Sequence, residues 1–204
     1  MYRQPYSFNK YRVKMKLLVL DNYDSFTYNL VYIFRSMNID YEVHRNDKIC
    51  PEEALSYDAI ILSPGPGIPS DAGNMAGIIA ACAGKKPILG ICLGHQAIAE
   101  YLGAKLNNMP IVYHGVQTKI IIKTNEVIFE GIPRKIDVGR YHSWQVVRDG
   151  LPENISILAE DENGTIMALS DSSKKIYGLQ FHPESIMTEY GQDIIQNFLK
   201  IAYK

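Results

Sequence analysis

The stretch Pro87-Ile-Leu-Gly-Ile-Cys-Leu-Gly-His-Gln96 constrains the fold more than any other part of the chain. An apolar run after a proline indicates a short buried strand, residues 90–94 indicate a tight turn, and residues 95–102 predict a helix. Cys92 therefore lies at a predicted strand-to-helix elbow. This is the geometry of the Gly-x-Ser-x-Gly nucleophile elbow with sulfur in place of oxygen. The adjacent helix N-terminus also favours a thiolate over a thiol.

Two interpretations of Cys92 remain open on this stretch alone. The residue is either a catalytic nucleophile or an inert member of the core, and a cysteine in an apolar run is more often the second. Cys50, Cys82 and Cys92 are widely spaced and form no C-x-x-C pair, which argues against a disulfide framework and a zinc site. The histidines have no metal-ligand spacing either, so no metal site is predicted. This use of cysteine fits a reducing cytoplasm.

Composition narrows the class of partner. The 204 residues carry 21 basic and 22 acidic side chains, which leaves a net charge of -1. Because no field of one sign surrounds such a chain, we expect it to bind neither nucleic acid nor an anionic membrane, and a small ligand is favoured. Its apolar stretches fall short of the roughly 18 residues of a membrane-spanning helix.

Residues 1–14 differ from the rest of the chain because they are basic and aromatic and contain no acid. They lack the apolar segment of a signal peptide and the serine richness of a transit peptide. We therefore expect a flexible extension over residues 1–14, followed by one domain over residues 15–204.

Strands and helices alternate through the first half of the chain, which is typical of an α/β fold with an open, mainly parallel sheet wound on both sides. The second half holds five short strand-like segments separated by turn signals, so we expect antiparallel additions to the sheet there. Asn163-Gly164 predicts a hairpin turn between two of these segments. Strands are predicted at 16–20, 41–45, 59–62, 88–91, 118–122, 141–147, 155–159, 165–169 and 176–181, and helices at 25–37, 75–83, 95–102 and 190–203.

Three unusual loops follow predicted strands, at residues 21–25, 63–67 and 90–94. They should lie at one edge, because ligands of such sheets bind beyond the carboxyl ends of the strands. The loop Ser63-Pro-Gly-Pro-Gly67 lacks the third glycine of a dinucleotide-binding motif. It is better interpreted as a rigid turn whose N–H groups, with that of Leu93, suit an oxyanion hole. A plain tight turn is the alternative.

The segment Gln180-Phe-His-Pro-Glu184 follows a predicted strand at the same edge as Cys92. His182 and Glu184 are two residues apart, so extended backbone places both side chains on one face. A carboxylate beside an imidazole can fix its tautomer and stabilise the imidazolium, as in a triad of nucleophile, base and acid. The alternative is a hydrogen-bonded structural histidine.

Together, Gly90-Ile-Cys-Leu-Gly-His-Gln96 and Phe181-His-Pro-Glu184 resemble the catalytic signature of the class I (triad) glutamine amidotransferases. Asp21-Asn-Tyr-Asp-Ser-Phe-Thr-Tyr-Asn29 and the Pro-Gly-Pro-Gly loop narrow the resemblance to the glutaminase subunit (component II) of anthranilate synthase and its close relative in aminodeoxychorismate synthase. The resemblance covers the chain from Met15 to its C-terminus. Four motifs in the right order argue against a chance match and favour catalysis by Cys92.

The resemblance implies that Cys92 is the nucleophile, His182 the base and Glu184 its orienting partner. It implies hydrolysis of L-glutamine and delivery of ammonia to a chorismate-binding synthase subunit, anthranilate synthase component I or aminodeoxychorismate synthase component I, in a heterodimer or heterotetramer. No cofactor is expected in this chain, whereas the synthase subunit would bring Mg²⁺. The implied glutamine pocket is lined by Gly65, Pro66, Gly67, Leu93, Gln96, Ser143 and Trp144.

Two positions depart from the family pattern. Trp144 stands where leucine or phenylalanine is usual, which bears on the shape of the pocket, and Val116 follows His114-Gly115 where lysine is frequent, which bears on partner contact. The tryptophan branch is favoured, with the folate branch as the alternative. A stand-alone Cys-dependent peptidase or γ-glutamyl hydrolase would not need the motif at 21–29 or the Pro-Gly-Pro-Gly loop. An inactive binding homologue would not need an intact triad.

Overall fold

The computed structural model describes residues 15–203, so the predicted extension at 1–14 lies outside the described residues. Strands and helices alternate in the first half, and strands dominate the second. The strands are β1 Lys16–Asp21, β2 Asp40–Arg45, β3 Ala59–Leu62, β4 Ile88–Ile91, β5 Leu106–Asn108, β6 Val116–Ile122, β7 Lys135–Arg140, β8 Trp144–Val146, β9 Ser156–Asp161, β10 Ile166–Asp171 and β11 Ile176–Leu179. The helices are α1 Thr27–Ser36, α2 Pro51–Ala54, α3 Met75–Cys82, α4 Leu93–Tyr101 and α5 Gly191–Ala202.

Within residues 15–203, nine strands form one sheet in the order β2-β1-β3-β4-β11-β10-β9-β6-β7. The pairs from β2 to β11 are parallel, and the remaining pairs are antiparallel. The prediction of an α/β fold with a parallel sheet and antiparallel additions is confirmed. The hairpin at Asn163-Gly164 is confirmed too, since Gly164 has a φ of 80° and its N–H donates to the Asp161 carbonyl.

Helices cover both faces of the sheet, because its inner parallel strands β1, β3, β4 and β11 are apolar on both sides. Strand β3 is buried along its whole length. One core cluster joins the sheet to α1 and α5 through side chains such as Phe34 and Phe198, and the other joins it to α3 and α4 through Ile79 and Ile98. This double winding leaves the carboxyl ends of β1, β3, β4 and β11 free to carry a site.

Several predicted element boundaries are wrong. The segment at 141–147 is a strand only over Trp144–Val146, where it pairs with β5 in a separate two-stranded sheet. Residues 142 and 143 instead accept backbone hydrogen bonds from Tyr113 and Met109, which hold them out of the main sheet. Strand β11 runs parallel to β4 although an antiparallel addition was expected, because the short connection from β10 reverses the chain once more.

Helix α1 begins at Thr27, not at Ser25 as predicted, and no side chain caps it. The Asp21 carboxylate accepts from the Thr27 hydroxyl at 2.9 Å, and the Asp24 carboxylate accepts from the Phe26 N–H at 2.7 Å. The motif at 21–29 is therefore a folded turn that fixes the direction of α1 and the position of Phe26.

Candidate active site

Cys92 occupies the sharp turn between β4 and α4. Its backbone angles are φ 52° and ψ -99°, a strained conformation for a residue with a side chain. Such strain is typical of a nucleophile elbow, where the turn pushes the side chain out of the sheet. Gly94 lets the start of α4 pack closely on the end of β3, because a Cβ there would lie 2.6 Å from the Leu62 carbonyl oxygen. The predicted elbow is therefore present.

His182 and Glu184 lie beside this elbow because β11 is the parallel neighbour of β4. The Cys92 N–H donates to the Leu179 carbonyl at 2.8 Å, which joins the ends of the two strands. Nδ1 of His182 lies 2.7 Å from Oε1 of Glu184, and both side chains are buried. The contact predicted between these two residues is thus present, although β11 itself ends at Leu179.

The surroundings of His182 favour its protonated form. Burial alone lowers its pKa, but interactions with the Cys92 sulfur and the Glu184 carboxylate outweigh burial and raise the pKa to about 10. Nε2 of His182 is buried without a well-formed hydrogen bond to any residue in the 15–203 range. Since Nδ1 is taken by Glu184, the sulfur acts on Nε2. The imidazole is therefore oriented to exchange a proton at Cys92.

Two aromatic rings fix the His182 imidazole from the sides. The Phe26 ring lies 5.1 Å from it and the Tyr141 ring 4.8 Å, both at steep angles. These two rings also contact each other at 4.9 Å. Edge-to-face packing of this kind restricts ring rotation. Phe26 thus links the motif at 21–29 to His182, a connection that the sequence did not predict.

The loop at 63–67 packs directly against the first residue of α4. A Cβ on Gly65 would lie 2.7 Å from the Leu93 side chain and 2.6 Å from the Asn22 Cβ, so glycine is required there. Asn22 Nδ2 donates to the Ser63 carbonyl at 2.8 Å and holds the loop in place. As the first residue of a helix, Leu93 has an N–H without an intrahelical acceptor. Pro66 and Gly67 are exposed at this edge.

A chain of amide side chains connects the sulfur with the segment at 143–144. Gln96 Nε2 donates to the Trp144 carbonyl at 3.1 Å and to Gln180 Oε1 at 3.3 Å. Gln180 Nε2 in turn points to the Cys92 sulfur at 3.7 Å. Gln96 and Trp144, which the resemblance assigns to the glutamine pocket, therefore lie in contact, and the contact to Trp144 is made through its backbone. Ser143 is adjacent, and its carbonyl accepts from the Met109 N–H at 2.7 Å.

A buried ionic network holds the segment at 143–144 in place. Arg140, only 1% exposed, donates to Asp161 at 2.7 Å and through Nε to Nε2 of His142 at 3.0 Å. Because Nε2 accepts a hydrogen bond, Nδ1 of His142 carries the proton and donates to the Trp144 carbonyl at 2.8 Å. Arg140 and His142 thus fix the Trp144 carbonyl.

His142 gives the fold a pH dependence that can be measured. Burial and the charge of Arg140 lower its pKa to about 4, below the ordinary 6.5. Between these values the unfolded chain binds a proton that the folded chain excludes, so stability falls as the pH decreases through this window. For His142 alone we expect a loss of about 2 kcal/mol between about pH 7 and pH 5.

Urea unfolding of wild type and of His142→Gln at about pH 7 and pH 5 measures how much His142 contributes to the pH dependence of the free energy of unfolding. Glutamine can still accept from Arg140 and donate to Trp144 but does not titrate. The free energy of unfolding of the variant should fall by about 2 kcal/mol less than that of wild type over the same interval. An identical fall in both proteins would contradict a neutral, buried His142.

Sequence reasoning missed Phe26, Tyr141, Arg140, His142 and Gln180 as neighbours of the site. Gln180 could have been found, because it lies two residues before His182 in a segment already singled out. The other contacts depend on tertiary packing. No group of three His, Cys, Asp or Glu side chains between residues 15 and 203 could hold a metal ion. No helix in that range is long and apolar enough to cross a membrane.

The arrangement is suited to acyl transfer through a covalent intermediate. It combines a sulfur on a strained turn, an imidazole held by a carboxylate, and backbone N–H groups at a helix start and an exposed glycine loop. Nearby backbone and amide groups of residues 96 and 143–144 can bind a polar substrate. These are the components that the hydrolysis of a carboxamide requires.

The chain matches the family model for class I glutamine amidotransferases over residues 18–202. It is 45% identical to anthranilate synthase component 2 of Lactococcus lactis over 186 residues, or 90% of this chain and 93% of the relative. It is 42% identical to the protein of the same name from Mycobacterium tuberculosis, over 91% of this chain and 82% of the relative. The solved structure of a candidate GMP synthase subunit from Thermoplasma acidophilum superposes with a TM-score of 0.85 at 29% identity, covering 95% of this chain and 96% of that one.

Proposed function

This chain belongs to the class I glutamine amidotransferases, and we propose that it is the glutaminase subunit of an anthranilate synthase. In this role it hydrolyses L-glutamine to glutamate and delivers ammonia to a chorismate-using synthase subunit. The observation that carries the proposal is the strained Cys92 next to the buried His182–Glu184 pair. The relatives named anthranilate synthase component 2 support the choice of this role over others in the family.

In the proposed mechanism, the Cys92 thiolate attacks the side-chain carbonyl carbon of glutamine. The N–H groups of Gly67 and Leu93 stabilise the oxyanion that forms. His182 passes its proton to the departing nitrogen, so ammonia leaves and a γ-glutamyl thioester remains on Cys92. Water deprotonated by His182 then hydrolyses the thioester to glutamate. Glu184 orients the imidazole throughout and stabilises its charged form.

We assign the rest of the glutamine pocket to the loop and segment that flank the elbow. Gly65, Pro66 and Gly67 would face the substrate's side chain. Gln96 and the backbone of Ser143 and Trp144 would hold its amino-acid end. The two hydrogen bonds that fix the Trp144 carbonyl support this assignment, because they set the orientation of the neighbouring peptide groups. Since that contact is made by backbone, Trp144 in place of a smaller residue is compatible with the pocket.

We also propose that the product reaches a separate synthase protein. Ammonia is protonated in water at neutral pH, so an acceptor must be supplied directly, and the family match leaves little of this chain for chorismate chemistry. Every step of the mechanism uses side chains and backbone of this chain, so no cofactor is proposed here, and Mg²⁺ would belong to the synthase subunit. The free cysteines support a reducing cytoplasm as the place of action.

Reconstitution with each candidate synthase subunit tests the proposal. Purified chain is combined with anthranilate synthase component I or with aminodeoxychorismate synthase component I, and glutamine and chorismate are supplied. We expect glutamine-dependent formation of anthranilate with the first. Amination only with the second would place the chain in the folate branch. Activity on γ-glutamyl peptides without hydrolysis of glutamine would contradict the proposal and favour a hydrolase.

A further inference from the structure

A cavity of about 710 Å³ opens to the surface beside the candidate triad. It lies between α1, the segment after His182 and the start of α5. Aromatic and aliphatic side chains form much of its wall, namely Phe26, Tyr32, Ile33, Tyr141, Ile186 and Tyr190. No residue assigned to the glutamine pocket lines it in the described part of the chain. The cavity is therefore distinct from the proposed substrate site.

The rim of this cavity carries unusually exposed apolar side chains. Ile186 is 102% exposed, and Tyr32 and Tyr190 are 69% and 41% exposed. Tyr28, 71% exposed, lies one turn before Tyr32 on the same face of α1. Single exposed apolar residues are common, but a group around an aromatic cavity marks a protein interaction site. Tyrosines are also frequent among residues that dominate binding energy. The three tyrosines, Tyr28, Tyr32 and Tyr190, together with Ile186, are called the aromatic rim below.

The cavity wall is shared with the residues that hold His182. Phe26 and Tyr141 line the cavity and also pack on the His182 ring. The Tyr141 hydroxyl lies 3.3 Å from the Ser185 hydroxyl, which belongs to the same wall. A group that fills the cavity therefore contacts the two rings that position the imidazole. Binding there can change the His182 geometry without touching glutamine.

The charge of the wall indicates what kind of group would fit. Among the described residues that line it, none is lysine, arginine or histidine, and Asp193 is an exposed acid, whereas the Glu184 carboxylate is buried against His182. Asp193 lies in the first turn of α5, where it offsets the positive end of the helix dipole. An apolar segment with a basic side chain complements such a wall.

We propose that the aromatic rim and its cavity are the docking site of the chorismate-using synthase subunit, which inserts an apolar, basic segment and acts on His182 through Phe26 and Tyr141. This inference rests on the proposed function. It explains why Ile186 is left in solvent two residues after Glu184. It also gives the motif at 21–29 a role, because that turn places both Phe26 and the exposed face of α1.

Titration of the full chain with the synthase subunit that supports amination tests the docking site. Ile186→Asp and Tyr32→Ala are compared with Val43→Asp, a matched control at an exposed aliphatic residue of the outer strand β2. We expect the Kd to rise roughly tenfold or more for the two rim variants and to stay within about twofold for the control. Glutaminase activity of the free chain should be unchanged in Ile186→Asp, which also verifies its fold.

A second variant tests the coupling. Phe26→Leu retains an apolar wall but removes the ring that packs on His182. We expect it to bind the synthase subunit with wild-type affinity while the stimulation of glutamine hydrolysis by saturating synthase decreases severalfold, chiefly in kcat. Stimulation equal to that of wild type would overturn the coupling part of the inference.

The outcomes separate this inference from the proposed function. If wild type neither hydrolyses glutamine nor binds a synthase subunit, the proposed function fails. If wild type does both and Ile186→Asp binds with unchanged Kd, only the docking site is wrong. Sedimentation of the free chain tests whether a second copy of this chain, in place of the synthase subunit, occupies the cavity. A homodimer that Ile186→Asp dissociates, with synthase affinity unchanged, would overturn the proposal.

Discussion

Replacement of Cys92 by alanine is expected to abolish glutamine hydrolysis, with a loss in kcat of at least about 10⁴-fold. The reason is that no other group in the site can form the thioester. Gln180, the amide that points to the sulfur, is not a nucleophile. Glutamine should still bind, because the proposed pocket is built from loop backbone and from Gln96. Ammonia release from glutamine, measured with the purified variant and with its synthase partner, gives the loss directly.

Cys82→Ala is the matched control for this experiment. Cys82 is also a free, buried cysteine, but it lies on α3 in the apolar core, where burial raises its pKa and keeps it inert. We expect full glutaminase activity in this variant. With excess ammonium salt, the synthase bound to Cys92→Ala should still aminate chorismate. Equal ammonia release by Cys92→Ala and wild type would disprove the assigned nucleophile.

The second large effect is expected for His182→Asn. Asparagine retains a polar group of similar reach but cannot exchange a proton, so both the departure of ammonia and the hydrolysis of the thioester lose their catalyst. We expect kcat to fall by about 10³-fold to 10⁴-fold, with a much smaller change in KM. Alkylation of Cys92 by iodoacetamide should slow as well, because the variant loses the base that accepts the proton of the reacting thiol.

His44→Asn provides the comparison, since His44 lies on β2 with Tyr57 and Glu42 as neighbours and contacts no part of the site. Its kcat and its alkylation rate should match those of wild type. If His182→Asn were alkylated at the wild-type rate and kept its kcat, a structural role for His182 would be favoured over a catalytic one.

The sequence predicts the parts of this site that depend on local geometry. Glycines at 90 and 94 allow the chain to turn sharply and pack closely around Cys92, so the elbow there could be predicted from the sequence. The spacing of His182 and Glu184 predicts their contact, and the alternation of strands and helices brings the loops to one edge. Each of these features depends on a few neighbouring residues, or on a general rule of sheet topology.

Other parts depend on contacts between distant segments, and these were missed. Strand β7 was not predicted, although Ile136 and Val138 alternate with polar residues, because charged positions interrupt the apolar pattern. The segment at 141–143 has strand character, but its carbonyls are taken by the chain around Met109 and Tyr113. Likewise, no local pattern shows that Phe26 would reach His182, more than 150 residues later in the sequence.

The family resemblance supplied residue roles that geometry alone leaves open. It assigned Gln96, Ser143 and Trp144 to the glutamine pocket, and the structure brings Gln96 and the Trp144 carbonyl within 3.1 Å. The resemblance did not supply the residues that hold this segment in place. Asp161, Arg140 and His142 form a buried hydrogen-bond network that depends on the tertiary fold.

The most direct test of the proposed chemistry is to trap the covalent intermediate. Wild type mixed with glutamine is quenched in acid during turnover, and the modified residue is located by mass spectrometry of its peptides. We expect a γ-glutamyl group on Cys92, absent from Cys92→Ala and formed together with ammonia. A glutamyl group on any other residue, or steady ammonia release from Cys92→Ala, would contradict the central claim that Cys92 carries the glutamyl group.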